Sequence, residues 1–263
     1  MKKSKLSAVF LTACMAATLL AGCGDKKTET TEATTEATTE AATEAATTTE
    51  ATVADATASE AEDDENYETG DASLDNVRNQ DEIGDNELLV VSFGTSFNDS
   101  RRLTIGAIEG KLDEEFGKDY SVRRGFTSQI IIDHVKSRDG IAIDNMTEAL
   151  DRAVDNGVKN LVIQPTHLMN GLEYTDVVNE VGDYADAFDQ VVIGDPLLTS
   201  DEDFDEVVKA ITDATAEYDD GETAICFMGH GTEADSNEVY QKMQDKLTDA
   251  GFENYFVGTV EAT

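Results

Sequence analysis

The chain has 263 residues, with 56 Asp and Glu against 19 Lys and Arg, and a formal net charge of −37. That balance argues against nucleic acid as a partner and against electrostatic docking on anionic lipid. The three cysteines are too few for a disulfide-dense scaffold.

Residues 1–22 read as a leader rather than as fold. Lys2, Lys3 and Lys5 make a basic start, and Leu6 to Leu20 is an apolar run too short to span a bilayer comfortably. The run closes in "LAGC", which looks like the lipobox of bacterial lipoproteins, where the cysteine is lipidated and becomes the new N-terminus. The expected location is therefore outside the cytoplasm, lipid-anchored to the bacterial membrane through Cys23. With Cys14 in the leader and Cys23 carrying lipid, Cys226 stands alone and no internal disulfide is expected. Its apolar surroundings read as those of a small core residue.

Residues 23–86 are Thr, Glu and Ala in near-repeats ("TTEATTEATTEAATEAA"), followed by the acidic run "EAEDDENYE". Few large apolar side chains occur there, so a disordered, self-repelling tether is expected. The many β-branched threonines weigh against the alternative, a helix of Glu and Ala.

From Glu87 onward apolar runs alternate with helical patterns. "ELLVVSF" reads as a strand. "SRRLTIGAIEGKLDEEF" reads as one helix, with Leu103, Ile105, Ile108, Leu112 and Phe116 near helical spacing. "YSVRRGF" is a strand, and "SQIIIDHVKSR" and "NMTEALDRAVDNG" are helical. The strand "NLVIQPTHL" precedes the helix "TDVVNEVGDYADAF". The strand "QVVIGDPLL" precedes a long helix, "DEDFDEVVKAITDATAEY", capped by Ser200. "TAICFMG" is a strand, "SNEVYQKMQDKLTDAG" a helix stopped by Gly251, and "YFVGTVE" a last strand. Strict alternation predicts an α/β fold of parallel sheets wound with helices.

A faint repeat divides the folded part. "LLVVSFGTSFNDS" and "AICFMGHGTEADSN" share an apolar run, a Gly-Thr pair and a polar helix start. Residues 87–217 then form one half with four strands, and residues 218–263 a second, partial half with two. The sequence reads as stopping in mid-domain, with an open edge and an uncovered apolar face in the second sheet.

In open parallel sheets ligands bind outside the carboxyl ends of the strands. Gly94, Thr95, Phe126, Thr127, His167, Asp195, His230 and Glu261 are all expected there. His230 stands between Gly229 and Gly231, which leave room for a large planar ligand. A neutral imidazole ligates divalent metals and accepts protons; the other reading is a turn histidine bonded to backbone. Glu261 offers a carboxylate from the neighbouring strand, or is a solvated acid. His167 lines the cleft, or is a satisfied histidine beside a turn. His134 reads as a surface or half-buried helical residue. "SFGTSFNDS" suits an anion cradle on helix N–H groups, with Asp99 and Ser100 as caps. Arg101, Arg102, Arg123 and Arg124 fall near the cleft, where they either neutralise an anionic ligand or are ordinary surface arginines.

These segments, together with "SRDGIAIDNMTEAL", "VIQPTHLMNGLEY", "GDPLL" and "VGTVE", resemble in order the anaerobic-type sirohydrochlorin cobaltochelatases, the CbiK family. The resemblance implies a chelatase-like fold of two similar halves, related to ferrochelatase, with a tetrapyrrole cleft between them. It implies insertion of Co²⁺ into sirohydrochlorin on the anaerobic route to cobalamin, without ATP or an organic cofactor. The histidine of the family's "MGHG" segment, a metal ligand and proton acceptor, falls on His230. The metal-ligand glutamate of its "VE" segment falls on Glu261. Gly94, Thr95, Phe126 and His167 would contact the tetrapyrrole. The family's second metal-site histidine falls beyond Thr263.

The residue types suit the reaction. Metalation removes pyrrole protons and passes an ion from protein to macrocycle; imidazole and carboxylate do both, without selecting Co²⁺ over Fe²⁺, Ni²⁺ or Zn²⁺. Sirohydrochlorin is a polycarboxylate, so the arginines and helix N-termini would have to offset the acidity of the chain locally. The alternative is a non-catalytic surface lipoprotein that binds a tetrapyrrole or metal and feeds a transporter. A homo-oligomer is left open.

Overall fold

A computed structural model describes residues 68–260. The leader, Cys23, most of the expected tether and Glu261 lie outside the described residues. Strand β1 (Asn86–Ser92) is followed by α1 (Asn98–Leu103), α2 (Ile105–Phe116), β2 (Ser121–Phe126), α3 (Gln129–Asp139) and α4 (Met146–Asp155). Then come β3 (Asn160–Pro165), α5 (Leu172–Tyr184), β4 (Gln190–Ile193) and α6 (Asp201–Thr215). The order closes with β5 (Ile225–Gly229), α7 (Glu238–Asp249) and β6 (Tyr255–Thr259). The strands form a four-stranded parallel sheet, ordered β2-β1-β3-β4, and a two-stranded parallel sheet, β5-β6. The expected α/β architecture of parallel sheets wound with helices is therefore present.

Strand β1 is central and covered on both sides, which is why its apolar run is continuous. Leu89 and Val91 face Ala149, Leu150 and Ala153 of α4 and Val177 and Val181 of α5. Leu88 and Val90 face the other way, with Val122, toward Leu112 and Phe116 of α2. In the second sheet Ile225, Phe227, Tyr255 and Val257 pack on Phe204 and Val208 of α6 and on Met243 and Leu247 of α7. The opposite face carries Cys226, Met228 and Phe256, all exposed. Cys226 is thus not a core residue: alternation along β5 gives the covered side to Phe227 and the open side to its neighbours.

The caps follow the sequence at α6, where Ser200 and Asp203 make a capping box, and Gly251 ends the turn after α7 with φ 91°. The helix expected over Ser100–Phe116 is broken at Thr104, whose hydroxyl donates to the Ser100 carbonyl (2.7 Å). Such a bond back into the preceding turn bends a helix. Asp99 and Ser100 sit inside α1, and Phe97 occupies the cap position with no side-chain cap bond.

The structured part also begins before Glu87. Residues 68–85, expected within the tether, run along the outer strand β2. The Arg124 amide donates to the Arg78 carbonyl (3.1 Å), the Gln80 side chain to the Val122 carbonyl (3.2 Å) and the Ser121 hydroxyl to the Ile83 carbonyl (2.8 Å). This segment covers a sheet edge that would otherwise present unpaired backbone groups. Its anchors are polar, so a search for core-forming side chains passes over it.

The arginines are the largest departure. Arg123 and Arg124 are neighbours on a strand and therefore point to opposite faces of the sheet. Arg123 meets Glu87 (3.1 Å) and Asp144 (2.8 Å); Arg124 meets Glu109 (2.7 Å) and Asp75 (2.8 Å). Arg101 also meets Asp75, at 2.6 Å. All three arginine side chains are at 0 % exposure and serve the fold, not a ligand. Arg102, on the surface of α1, is paired with Asp99 at 3.2 Å.

Burial pushes the Glu87 carboxyl up to about 7 from an ordinary 4.5, against the pull of Arg123. Between those values the folded chain holds a proton that the unfolded chain has released. The contribution of Glu87 to stability is therefore full below about 4.5 and is lost as the pH rises through about 7. Glu87→Gln removes that loss. Denaturant titrations from pH 4 to 8 should show the variant gaining on the wild type by up to ~3 kcal/mol across the window. Parallel pH profiles for the two proteins would contradict this.

Candidate functional site

The carboxyl ends of β1, β2 and β3 open on one side of the four-stranded sheet. Gly94 follows β1 with φ 105°, and a Cβ there would lie 2.6 Å from the Phe126 ring. Glycine is required at this position on both counts. Phe126 is wholly buried beneath it, with the Arg124 guanidinium 5.5 Å from its ring centroid. Phe126 is therefore a floor under the loop and is not exposed to a ligand as expected. Thr95 is half-buried; its hydroxyl accepts from the Phe97 amide (3.3 Å) and its carbonyl accepts from Arg101 (3.1 Å). The amide at the start of α1, that of Asp99, donates to the Thr69 carbonyl (2.8 Å), so this bond is spent inside the protein rather than on an anion.

A cavity of about 340 Å³ lies beside this loop. Its lining includes Phe93, Thr127, Asn145 and Met146, and Glu173, Asp176 and Glu180 from α5. The acids recur at helical spacing on one face of α5, a pattern visible in the sequence but passed over in favour of the histidines. No Lys or Arg lines the cavity.

His167 sits in the loop after β3, whose carbonyls at His167 and Leu168 accept from the Leu197 and Leu198 amides after β4 (3.0 and 2.8 Å). Both its ring nitrogens are buried and find no hydrogen-bond partner among the described residues, as do the Thr127 and Ser236 hydroxyls. Burial holds the His167 pKa below its ordinary value, with Glu173 pulling the other way. The ring is thus kept neutral, presenting one donor and one acceptor.

His230 is exposed at the carboxyl end of β5. Its flanking glycines have reasons other than room for a planar ligand. A Cβ on Gly229 would lie 2.2 Å from the Tyr240 ring, and Gly231 adopts φ 92°. The Tyr240 hydroxyl accepts from the Gly231 amide (3.4 Å), so α7 fixes the turn that presents the imidazole. Strand β6 runs beside β5, Gly229 opposite Thr259, and the Val260 amide donates to the Gly229 carbonyl (3.0 Å). Glu261 lies just outside the described residues, and its pairing with His230 is not placed by the structure. His134 is half-buried on α3, away from any strand end. Among the described residues no three His, Cys, Asp or Glu side chains gather as a metal centre.

Comparison with known proteins places this arrangement in a family. The family described as "Cobalt chelatase (CbiK)" matches residues 86–263. The chain is 35% identical over 175 residues to a sirohydrochlorin cobaltochelatase of Salmonella typhimurium, covering 66% of this chain and 65% of that protein. It is 25% identical over 175 residues to the sirohydrochlorin cobaltochelatase CbiKC of Nitratidesulfovibrio vulgaris, covering 65% and 61%. The match thus spans somewhat less than two thirds of the length of each of these relatives. The chain belongs to the cobalt chelatase (CbiK) family.

Proposed function

We propose that the protein is a sirohydrochlorin cobaltochelatase, inserting Co²⁺ into the macrocycle without ATP, and that a lipid on Cys23 holds it outside the cytoplasmic membrane. The observation that carries the catalytic part is the exposed His230 at the carboxyl end of β5, in a chain of this family whose relatives carry that activity by name. An exposed imidazole on a turn fixed by Tyr240 can take a pyrrole proton and hold the incoming ion. Glu261 is its proposed second ligand. Gly94, Thr95 and His167 form the proposed tetrapyrrole wall, with Phe126 supporting the loop from below. Co²⁺ is substrate here and transiently bound ion; the family resemblance implies no organic cofactor.

The second reading is a non-catalytic lipoprotein that binds a tetrapyrrole or metal and passes it on. It draws on the leader, and on the lack of a three-ligand metal cluster among the described residues.

The decisive assay mixes the full chain with sirohydrochlorin and Co²⁺ and follows the absorption change on metalation. Wild type should insert cobalt, and His230→Ala should lower the rate on the order of 100-fold or more. His134→Ala should stay within about twofold, as expected for a residue outside the reacting groups. Binding of sirohydrochlorin without insertion would favour the second reading. Neither binding nor insertion would overturn both.

The anchor has its own test. Expressed with its leader, the wild-type chain should fractionate with membranes and Cys23→Ala should not. Mass spectrometry showing an unmodified Cys23, or Met1 retained, on the native protein would refute lipidation.

A further inference from the structure

The family match begins at residue 86, yet the charge on Arg101 is met by a residue upstream of it. Asp75 sits one residue past a 3-10 turn, Ala72–Leu74, and its carboxylate is shared between two buried arginines. It accepts from Arg101 Nε (2.6 Å) and from Arg124 Nη1 and Nη2 (2.8 and 3.0 Å). Arg124 has a second carboxylate in Glu109, which takes its Nε and Nη2 at 2.7 Å each. The carboxylate that meets Arg101 is that of Asp75.

Arg101 in turn reaches the loop between β1 and α1. Its Nη1 donates to the Thr95 carbonyl (3.1 Å) and its Nη2 to the Asn98 side-chain oxygen (2.5 Å). The Asn98 side-chain amide returns to the upstream segment, donating to the Gly70 carbonyl (3.2 Å) and the Thr69 hydroxyl (3.3 Å). With the bond from the Asp99 amide to the Thr69 carbonyl, the segment grips the loop from two sides. From α3, Arg138 adds a bond to the Ser96 carbonyl (2.6 Å).

We propose that Asp75 is a positioning residue: acting through Arg101, the segment Thr69–Asp75 holds the β1–α1 loop in the conformation that faces the ligand. The geometry supports this beyond simple stapling. A guanidinium fixed at Nε by Asp75 has its two remaining nitrogens set in direction, because the group is planar and rigid. Those nitrogens hold Thr95, in the middle of the loop, and Asn98, the first residue of α1. The loop's other constraints are Gly94 against Phe126, the Ser128 amide on the Phe93 carbonyl (3.2 Å) and Arg138 on the Ser96 carbonyl, and none of them reaches Thr95. The identity of the ligand rests on the chelatase reading; the hold of the segment on the loop does not.

Two variants of the full chain test it. Asp75→Asn removes the negative charge that faces Arg101 and Arg124. Gly70→Ala removes none: Gly70 has φ 92°, where a side chain is strained, and a Cβ would fall 2.3 Å from Asp99 Cγ, so either the Asp99 side chain or Thr69–Gly70 must shift. Gly70→Ala therefore keeps the test alive if Asp75→Asn fails to fold. Hydrogen exchange should accelerate at least ~10-fold in amides of residues 94–99, with the Leu161 and Ile163 amides of β3 unchanged. In cobalt insertion, KM for sirohydrochlorin should rise roughly 5–10-fold with kcat within about twofold, the mark of lost ground-state positioning. Unchanged loop exchange in both variants overturns the proposal. So does acceleration shared equally by β3, which would mean global destabilisation. If the wild type fails to metalate sirohydrochlorin, the chelatase reading falls and the exchange arm alone decides the positioning.

Discussion

Three guanidinium groups lie wholly out of water around the first sheet, and the fold is arranged so that each keeps its carboxylates. Desolvating an ion costs several kcal/mol even after the protein relaxes, and stranding one by removing its partner costs about 3–5 kcal/mol. The placement of α2 and the course of residues 68–85 follow this constraint. Glu109 of α2 must reach Arg124 from one side of the sheet while Asp75 reaches it from upstream. Burial pushes the Glu109 carboxyl up and Arg124 holds it back. Asp75 is driven the other way: burial opposes ionisation, but its bonds to Arg124 and Arg101 leave it below the ordinary carboxylate range. On the opposite face Asp144 is shared between Arg123 and Arg152, which ties α4 to β2.

Strand order aside, most of the fold was legible as pattern. Every strand appeared as an apolar run and every long helix as a 3.6-residue periodicity, because burial on a sheet or against one leaves that signature. Arg123 and Arg124 interrupt the apolar run of β2, and the sequence alone leaves them as cleft cations or surface arginines; the structure makes them neither. A strand residue that is charged yet flanked by Val122 and Phe126 has another meaning when acids are available on the covering elements. Glu87, Glu109 and Asp144 were all in view, but which of them met which arginine depends on strand order and register, and these are not local. The segment before Glu87 was missed for a related reason. Its contribution is mostly ion pairs and backbone bonds, with Ile83 packed on the core, and composition alone does not separate these from a tether.

At the candidate site positions are more legible than roles. His230 and His167 do stand at strand ends, because parallel strands bring all their carboxyl ends to one side. The glycines around His230 were given a ligand-side reason, whereas the structure gives them internal ones: the Tyr240 ring against Gly229 and a left-handed backbone at Gly231. Both shape the turn that carries the imidazole, so the reason for the glycines lies inside the fold. Phe126 went the opposite way. An aromatic at a strand end suggests stacking on a planar ligand, but the missing side chain of Gly94 lets the loop close over the ring and take it out of reach.

The acidity of the cavity sets the terms for any ligand. Glu173, Asp176 and Glu180 line it without a Lys or Arg to balance them, and the arginines that might have done so are committed to the fold. A cleft of one sign raises the local concentration of the opposite charge and disfavours its own. It therefore opposes a polycarboxylate at α5. If a macrocycle of the proposed kind binds, its carboxylates must point away from α5, and the face or edge turned toward the acids must be the part where positive charge arrives. His167 is half-buried with both ring nitrogens unpartnered among the described residues, so it offers one donor and one acceptor without adding charge of either sign.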